Sequence, residues 1–150
     1  MRRKPYALIP ASYKRTGICY IDNMNKLKNF SILTDPARVK EILNNYNSAI
    51  FGSRAEVQDV RIYILQSYQD KVSYNIKARY TVTLRTAGQK LFSKNIVAAF
   101  SWPRNREYGY YMENLVFNKL KKTTKVRVPE QYGYIKKYNL ALMEYMPGLQ

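Results

Sequence analysis

The sequence contains no histidine and only one cysteine, Cys19. The absence of histidine excludes Ser-His-Asp catalysis, histidine-ligated zinc and imidazole general-base chemistry. A single cysteine cannot form an internal disulfide or a metal site made of several thiolates. Because no histidine is present to activate its thiol, we expect Cys19 to be a small core residue.

Long apolar segments are also missing. No apolar run approaches the roughly 18 residues that a transmembrane helix requires, so no transmembrane segment is expected. The N-terminal residues MRRKPYALIP begin with basic side chains, but the apolar stretch that follows is too short for a signal peptide. These features predict a cytoplasmic protein.

Acidic residues are scarce, since 10 Asp and Glu stand against 26 Lys and Arg and leave a net charge of +16. Such an excess predicts polyanionic partners, such as phosphate groups, nucleic acid or anionic lipid. The sharpest basic clusters are Arg2, Arg3 and Lys4, and then Lys119, Lys121, Lys122 and Lys125. A run of this kind is usually a solvated face, and contact with nucleic acid or phosphate is the alternative.

The length of 150 residues is typical of one domain. Hydrophobic residues make up 46% of the chain and include 15 Tyr and 5 Phe, which is enough to fill a core. We therefore expect a folded chain rather than a disordered one.

The N-terminal part is predicted to contain a hairpin and a helix. Residues 17–21 and 30–33 have the pattern of two short strands around a polar turn. A helix is predicted over residues 36–48, with Asp35 as its N-cap and Pro36 at its first position. Its buried face is predicted from apolar residues at helical spacing, which are Val39, Ile42, Leu43 and Tyr46.

Strand signals dominate the middle of the chain. Three strands are predicted, over residues 60–65, 72–84 and 91–100, and they form an antiparallel meander. The second has the clearest alternation: one face carries Ile76, Ala78, Tyr80, Val82 and Leu84, and the other carries Lys77, Arg79, Thr81 and Thr83. 

The period changes after Trp102 and Pro103. A helix is predicted over residues 106–122, and two short strands over 132–135 and 139–145. The apolar stripe of this helix is predicted to consist of Tyr108, Tyr111, Met112, Leu115, Val116 and Leu120. The predicted fold class is therefore α+β, a five-stranded antiparallel sheet with an inserted helix and a helical extension before it.

The order of these elements carries a resemblance. The helix segment ENLVFNKL (Glu113–Leu120), the pair Val128–Pro129 and the segment MEYMPG (Met143–Gly148) follow one another as in the aminoglycoside phosphotransferase and choline kinase-like families. The chain thus resembles the N-terminal lobe of the protein-kinase-like superfamily over residues 59–148. This resemblance divides the chain into an N-terminal extension, 1–58, and a kinase-like lobe, 59–150, that ends at the hinge.

The resemblance implies a role for each matching position. The hinge residues Glu144, Tyr145 and Met146 would contact adenine through their backbone, and ATP with magnesium would be the cofactor. Glu113 would pair with a strand lysine that holds the nucleotide phosphates. The alternative for Glu113 is an exposed helix residue that pairs with a lysine nearby on the surface.

The sequence also differs from the family pattern. The phosphate lysine is replaced by alanine, at Ala98 or otherwise at Ala99, and Lys94 could substitute for it only if the register shifts. The turn at residues 66–71 has no glycine to bring backbone amides close to phosphate. The lobe with the catalytic Asp and the magnesium ligands would follow the hinge, so no catalysis is expected from this chain alone, and the missing lobe or another chain is the expected partner.

Two other functions fit the same sequence. In a nucleic-acid-binding protein, Lys77, Arg79 and Arg85 would share one exposed sheet face with tyrosines that stack on bases. The many tyrosines are equally explained by their preference for strands. In a structural or assembly module, the open hinge side would be covered by another chain.

Overall fold

The computed structural model describes residues 29–51, 55–70, 73–123 and 127–148. Its elements in chain order are helix α1 (Pro36–Asn45), helix α2 (Asn47–Phe51), strands β1 (Glu56–Gln69), β2 (Tyr74–Arg85) and β3 (Leu91–Trp102), helix α3 (Glu107–Leu120), strand β4 (Gln131–Ile135), a 3-10 turn (Lys136–Tyr138) and strand β5 (Leu140–Glu144). The predicted strand 17–21, Cys19, Arg2, Arg3, Lys4 and Lys125 lie outside the described residues.

The five strands form one antiparallel sheet with the order β1-β2-β3-β5-β4. Helix α3 connects β3 to β4. The predicted fold class is confirmed, because the structure is α+β and has the inserted helix between the third and fourth strands. None of the helices among the described residues combines the length and apolar character needed to span a bilayer.

One face of the sheet forms the core. Alternate residues of β2, from Ile76 to Leu84, are fully buried there, together with Ile96, Ala98 and Phe100 of β3. Residues 29–33, α1 and α2 pack over this face. The hydroxyl of Tyr80 donates a hydrogen bond of 2.6 Å to the carbonyl oxygen of Leu33, and burial raises its pKa.

Helix α1 begins where the sequence predicts. The Asp35 carboxylate accepts hydrogen bonds from the amides of Ala37 (2.9 Å) and Arg38 (3.4 Å), and Pro36 opens the first turn. Val39, Ile42 and Leu43 are buried as predicted. The predicted end and the burial of Tyr46 are wrong, because the helix stops at Asn45, Tyr46 is 39% exposed, and a separate α2 follows.

The predicted strand at residues 30–33 is also wrong, since residues 29–33 are helical. The amide and hydroxyl of Thr34 both bond to the carbonyl oxygen of Phe30, at 3.2 and 3.0 Å, as in a helical turn. Leu33 is fully buried, and Phe30 packs against the core. A short apolar run suits a buried helix turn as well as a strand, so contact with the core decides between them.

Helix α3 forms within the predicted range, and the predicted apolar stripe lies mainly at the surface. None of its residues is buried, and its apolar stripe is largely exposed, with exposed side chains at Tyr108, Tyr111, Met112, Leu115 and Val116. Its packing against the sheet runs through Tyr110, whose ring stacks on Tyr134 of β4 at 5.8 Å. Helical periodicity predicts an apolar face but not the element that covers it.

Candidate functional site

The second face of the sheet is open, and the side chains of β2 that alternate with the core residues project from it. Paired residues of antiparallel strands lie on the same side of a sheet, so Lys77 faces the same way as Ala99 of β3. Ala99 in turn pairs with Ala141 of β5. Helix α3 borders this face along β4, and a cleft results between them.

The cleft begins with a cavity of about 470 Å³ at the end of β5. The three predicted hinge residues, Glu144, Tyr145 and Met146, line it together. The other walls come from β1, β2, β3, β5 and the segment before β4. They consist of Leu65, Gln66, Lys77, Val97, Pro129 and Met143. Most of these side chains are apolar, so this part of the cleft suits a flat apolar group with a polar edge.

A second cavity of similar volume, about 470 Å³, continues towards the start of α3. It shares Gln66, Lys77 and Met143 with the first cavity, so the two regions join. Its lining adds cations and polar groups, which are Asn75, Arg104, Asn105, Arg106 and Glu113. The cleft is thus apolar near the hinge residues and cationic at its far end.

The two alanines at the predicted lysine position differ in orientation. Ala98 faces the core, where it pairs with Ala78, and Ala99 is fully buried on the same side of the sheet as Lys77. Lys77 lies directly opposite Ala99 on the neighbouring strand. An ammonium group is therefore present one strand away from the site where the family pattern has its lysine.

Lys94 cannot take that position. Its ammonium lies 3.9 Å from the ring centroid of Tyr132 and 5.9 Å from that of Phe51, which belongs to the helices over the core face. Lys94 has the same parity along β3 as the buried Ile96, so it lies on the opposite side of the sheet from Lys77.

Glu113 lines the second cavity together with Lys77. Its side chain is exposed, and it forms no salt bridge with any described residue, so the predicted surface pairing with a lysine is not observed in this part of the chain. Burial lowers the pKa of the Arg106 guanidinium, and the charge of Glu113 acts in the opposite direction. Glu113 thus contributes the acidic group of an otherwise cationic region.

Asn139, which sequence analysis missed, fixes the backbone of the loop that carries Arg104 and Arg106. Its side-chain amide donates to the carbonyl oxygens of Ser101 (2.6 Å) and Arg104 (2.8 Å), and its oxygen accepts from the Arg106 amide (2.8 Å) and the Tyr134 hydroxyl (2.8 Å). Asn139 has a φ of 49°, in the left-handed region that Asn tolerates better than most residues.

Arg106 is fixed by its side chain as well. Its guanidinium donates to the hydroxyl oxygen of Ser101 at 3.2 Å and to the side-chain oxygen of Asn75. Arg104 and Arg106 were not predicted, because only the pairing of the loop after β3 with the turn before β5 brings them to the cleft. No local sequence signal marks that pairing.

The Glu144 carboxylate is occupied by contacts within the protein. It accepts hydrogen bonds from Arg127 at 2.5 Å and from the amide of Glu130 at 3.3 Å. The amide of Glu144 is also engaged, since it donates to the carbonyl oxygen of Glu130 at 2.8 Å. New donor contacts in the first cavity therefore fall to Tyr145 and Met146.

Arg79 lies next to this cavity between two tyrosine rings. Its guanidinium carbon is 4.5 Å from the ring centroid of Tyr63 and 5.4 Å from that of Tyr145. One terminal nitrogen donates to the Tyr145 hydroxyl at 3.5 Å, and the buried Nε has no hydrogen-bond partner. Arg79 thus fixes one rim of the cavity.

The predicted nucleic-acid-contacting residues divide into two groups. Lys77, Arg79 and Arg85 lie on the open face, as predicted, because they alternate along β2 with the buried core residues. Tyr63 is on the same face, because it is paired with Arg79 across β1 and β2. The others within the described ranges lie at or just beyond the end of α3, and these are Lys119, Lys121 and Lys122.

Within the described ranges, no three Cys, Asp or Glu side chains come together in a way that could hold a metal ion. No protein-family model matches this chain, and no curated protein or solved structure matches it either.

Proposed function

We propose that this chain is the nucleotide-binding lobe of a kinase-like small-molecule phosphotransferase. The adenine base would occupy the cavity at Tyr145 and Met146, and the phosphates would extend towards Lys77. The observation that carries this proposal is the change in character along one continuous cleft, from apolar walls near the hinge residues to cations at the far end. A nucleotide has the same division between a flat base and a charged phosphate chain.

The base site is supported by the side chains that would contact the two ring faces. Leu65, Val97 and Met143 provide apolar surface in the first cavity. A base held between such walls needs polar contacts along one edge to fix its orientation. The backbone of Tyr145 and Met146 supplies that edge, and Glu144 stabilises the segment through Arg127 and Glu130.

In the phosphate site, Lys77 takes the role that the family pattern gives to a β3 lysine. It lies opposite Ala99, and neighbouring strands are about 4.8 Å apart, so its ammonium serves the same region of the cleft. Glu113 lines the same cavity and is the acid that would orient Lys77, while Arg104 and Arg106 add positive charge. Magnesium would enter bound to the nucleotide.

The turn between β1 and β2 does not take part in phosphate binding under this proposal. The Asp70 carboxylate accepts hydrogen bonds from the amide of Ser73 at 2.7 Å and from its hydroxyl at 2.8 Å. An acidic group at this turn repels phosphate, in contrast to a glycine-rich turn with free amides. The phosphates would therefore be held by side chains of β2 and of the loop before α3.

Phosphoryl transfer would need groups beyond this lobe. The resemblance assigns the catalytic Asp and the magnesium ligands to a second lobe, so this chain would bind nucleotide and would not transfer phosphate alone. The natural reading frame tests that part, since it should continue past Gln150 into an Asp-containing catalytic loop, or a second chain should supply one.

Calorimetry with ATP and magnesium tests nucleotide binding. The unchanged chain should release heat with ATP and, more weakly, with adenosine. Lys77→Gln should weaken ATP binding and leave adenosine binding unchanged, because Lys77 would contact phosphate and not the base. Lys90→Gln is the matched control, since Lys90 is exposed in the turn after β2. The absence of both binding heat and a thermal shift at millimolar nucleotide would refute the proposal.

A further inference from the structure

The open face continues beyond the cleft, across β1, β2 and β3. We call this region the outer strip and define it by six residues that project from the open face or adjoin it, Arg61, Tyr63, Arg79, Arg85, Asn95 and Tyr145. Helix α3 borders the sheet at the opposite edge, along β4. Tyr63 is 45% exposed, so a flat partner can reach its ring.

From this surface we infer a function beyond nucleotide binding: the outer strip binds single-stranded nucleic acid. Unpaired bases stack on Tyr63 and Tyr145, and backbone phosphates contact the arginines. Proteins that bind single strands without strong sequence preference combine aromatic platforms with a cationic path in this way. 

The first argument is the arrangement of Arg79 between the two rings. A guanidinium stacked on tyrosine at 4.5 Å keeps its positive charge while its orientation is fixed. No acidic side chain in the described part of the chain forms a salt bridge with Arg79 or Arg85, whereas Arg61 of the outer strip pairs with Asp59 at 3.6 Å. A rigid, uncompensated cation beside aromatic rings is complementary to a phosphate that follows a stacked base.

The second argument is the length of the outer strip. Arg79 and Arg85 are six residues apart on β2, which corresponds to about 20 Å along a strand. Stacked nucleotides repeat at about 3.4 Å along one strand, so the strip has room for about six of them. The arginines on it therefore contact separate phosphates rather than a single one.

The third argument concerns the alternatives to a single strand. A duplex hides the faces of its bases, so Tyr63 and Tyr145 would have nothing to stack on and only phosphate contacts would remain. An acidic peptide would satisfy the arginines but would leave the two rings without a planar partner. The exposed ring of Tyr63, the half-buried ring of Tyr145 and two arginines without a salt bridge, Arg79 and Arg85, together fit unpaired bases better than either.

Fluorescence anisotropy with a labelled oligothymidylate and a labelled oligouridylate tests the inference, and the two probes distinguish DNA from RNA. Binding should weaken as salt rises, with a slope of about −0.7 in log K against log salt for each phosphate contact. Arg79→Gln should therefore reduce the slope by about 0.7. Arg38→Gln is its control, because Arg38 lies on α1 over the other face of the sheet and is exposed.

Tyr63→Leu separates stacking from charge. It should weaken oligothymidylate binding about tenfold with the salt slope unchanged, because a stacked base is lost and no phosphate contact is. Tyr46→Leu is the matched control, since Tyr46 is similarly exposed but lies between α1 and α2. Thermal unfolding checks that each variant is folded, and Arg85→Gln replaces Arg79→Gln if that variant is not.

Three results would overturn the inference. The first is equal affinity of Tyr63→Leu and Tyr46→Leu for the oligonucleotides. The second is binding of a duplex, or of polyphosphate with equal charge, as tight as that of the single strand. The third is binding that does not depend on salt. ATP calorimetry on Tyr63→Leu separates this site from the cleft, because nucleotide binding should persist in that variant.

Discussion

Lys77 of β2 and Ala99 of β3 lie directly opposite each other on one side of the sheet, where Lys77 lines the cleft and Ala99 is fully buried. The family that the sequence resembles has a phosphate-binding lysine on the third strand, and this chain has Ala99 at that position, on the same side of the sheet as Lys77. An ammonium group on the neighbouring strand lines both joined cavities. Under the proposed function, Lys77 would bind phosphate in place of a lysine on β3, and a relocation experiment tests this.

Under the proposed function, a lysine at position 99 should replace part of the ATP affinity that Lys77 provides. Lys77→Ala should weaken ATP binding about tenfold, or about 1.4 kcal/mol, through loss of a charge-assisted contact. The double variant Lys77→Ala with Ala99→Lys should recover part of that loss, limited by the cost of placing a long side chain at a fully buried position. Calorimetry measures both.

The control for this relocation returns the same charge elsewhere. Lys77→Ala with Thr83→Lys has the same net charge, but Thr83 lies six residues farther along β2, about 20 Å away. It should bind ATP as weakly as Lys77→Ala. Equal recovery in the two double variants would mean that net charge, and not the position opposite Ala99, determines affinity.

Asn139 offers a test of how the cationic end of the cleft is built. Asn139→Ala removes the side-chain hydrogen bonds to Ser101, Arg104, Arg106 and Tyr134, and it places alanine at a positive φ. We expect the free energy of unfolding to fall by about 2 kcal/mol. Urea denaturation measures this loss.

The variant Asn139→Gly separates the two causes. Glycine adopts the left-handed conformation without a steric cost, so any destabilisation beyond its backbone entropy comes from the lost hydrogen bonds. We expect Asn139→Gly to be clearly destabilised and Asn139→Ala slightly more so. A glycine variant as stable as the original chain would show that the side-chain bonds contribute little.

Local patterns were sufficient to predict much of the fold. The Asp35–Pro36 start of α1 depends on one side chain and its own next amides, and the alternation along β2 depends only on which residues are apolar. Both can be read without knowing what lies opposite. The sheet and its inserted helix follow from such signals, so the predicted fold class is confirmed.

The incorrect predictions concern partners that are distant in sequence. The segment 29–33, predicted as a strand, is helical because Leu33 packs into the core. The exposure of α3 was left open by the sequence, and no described element covers its apolar stripe. The position of Ala99 opposite Lys77 depends on strand register. The four hydrogen bonds of Asn139 depend on the contact between the loop after β3 and the turn before β5. Sequence periodicity contains neither kind of information.

The exposure of α3 leads to a stability contrast between two leucines. Leu115→Ala on α3 should change the free energy of unfolding by no more than about 0.5 kcal/mol, because Leu115 is 55% exposed. Leu43→Ala on α1 should cost about 2 to 5 kcal/mol, because Leu43 is fully buried. A large loss for Leu115→Ala in urea denaturation would mean that α3 is covered in solution.

The buried Tyr80 predicts a loss of stability at alkaline pH. Burial raises the pKa of its hydroxyl above the ordinary value of 10.0, and the neutral form donates a hydrogen bond to Leu33. A group whose folded-state pKa lies above its unfolded value contributes stability that is complete below the unfolded value and is lost as pH rises beyond it. The free energy of unfolding should therefore decline above about pH 10, where the Tyr80 hydroxyl ionises in the unfolded chain and not in the folded chain.

Urea denaturation across this range should give a shallower decline for Tyr80→Phe than for the original chain, after an overall loss of about 1 kcal/mol from the missing hydrogen bond. An identical pH dependence in the two proteins would mean that the Tyr80 hydroxyl is not the group responsible.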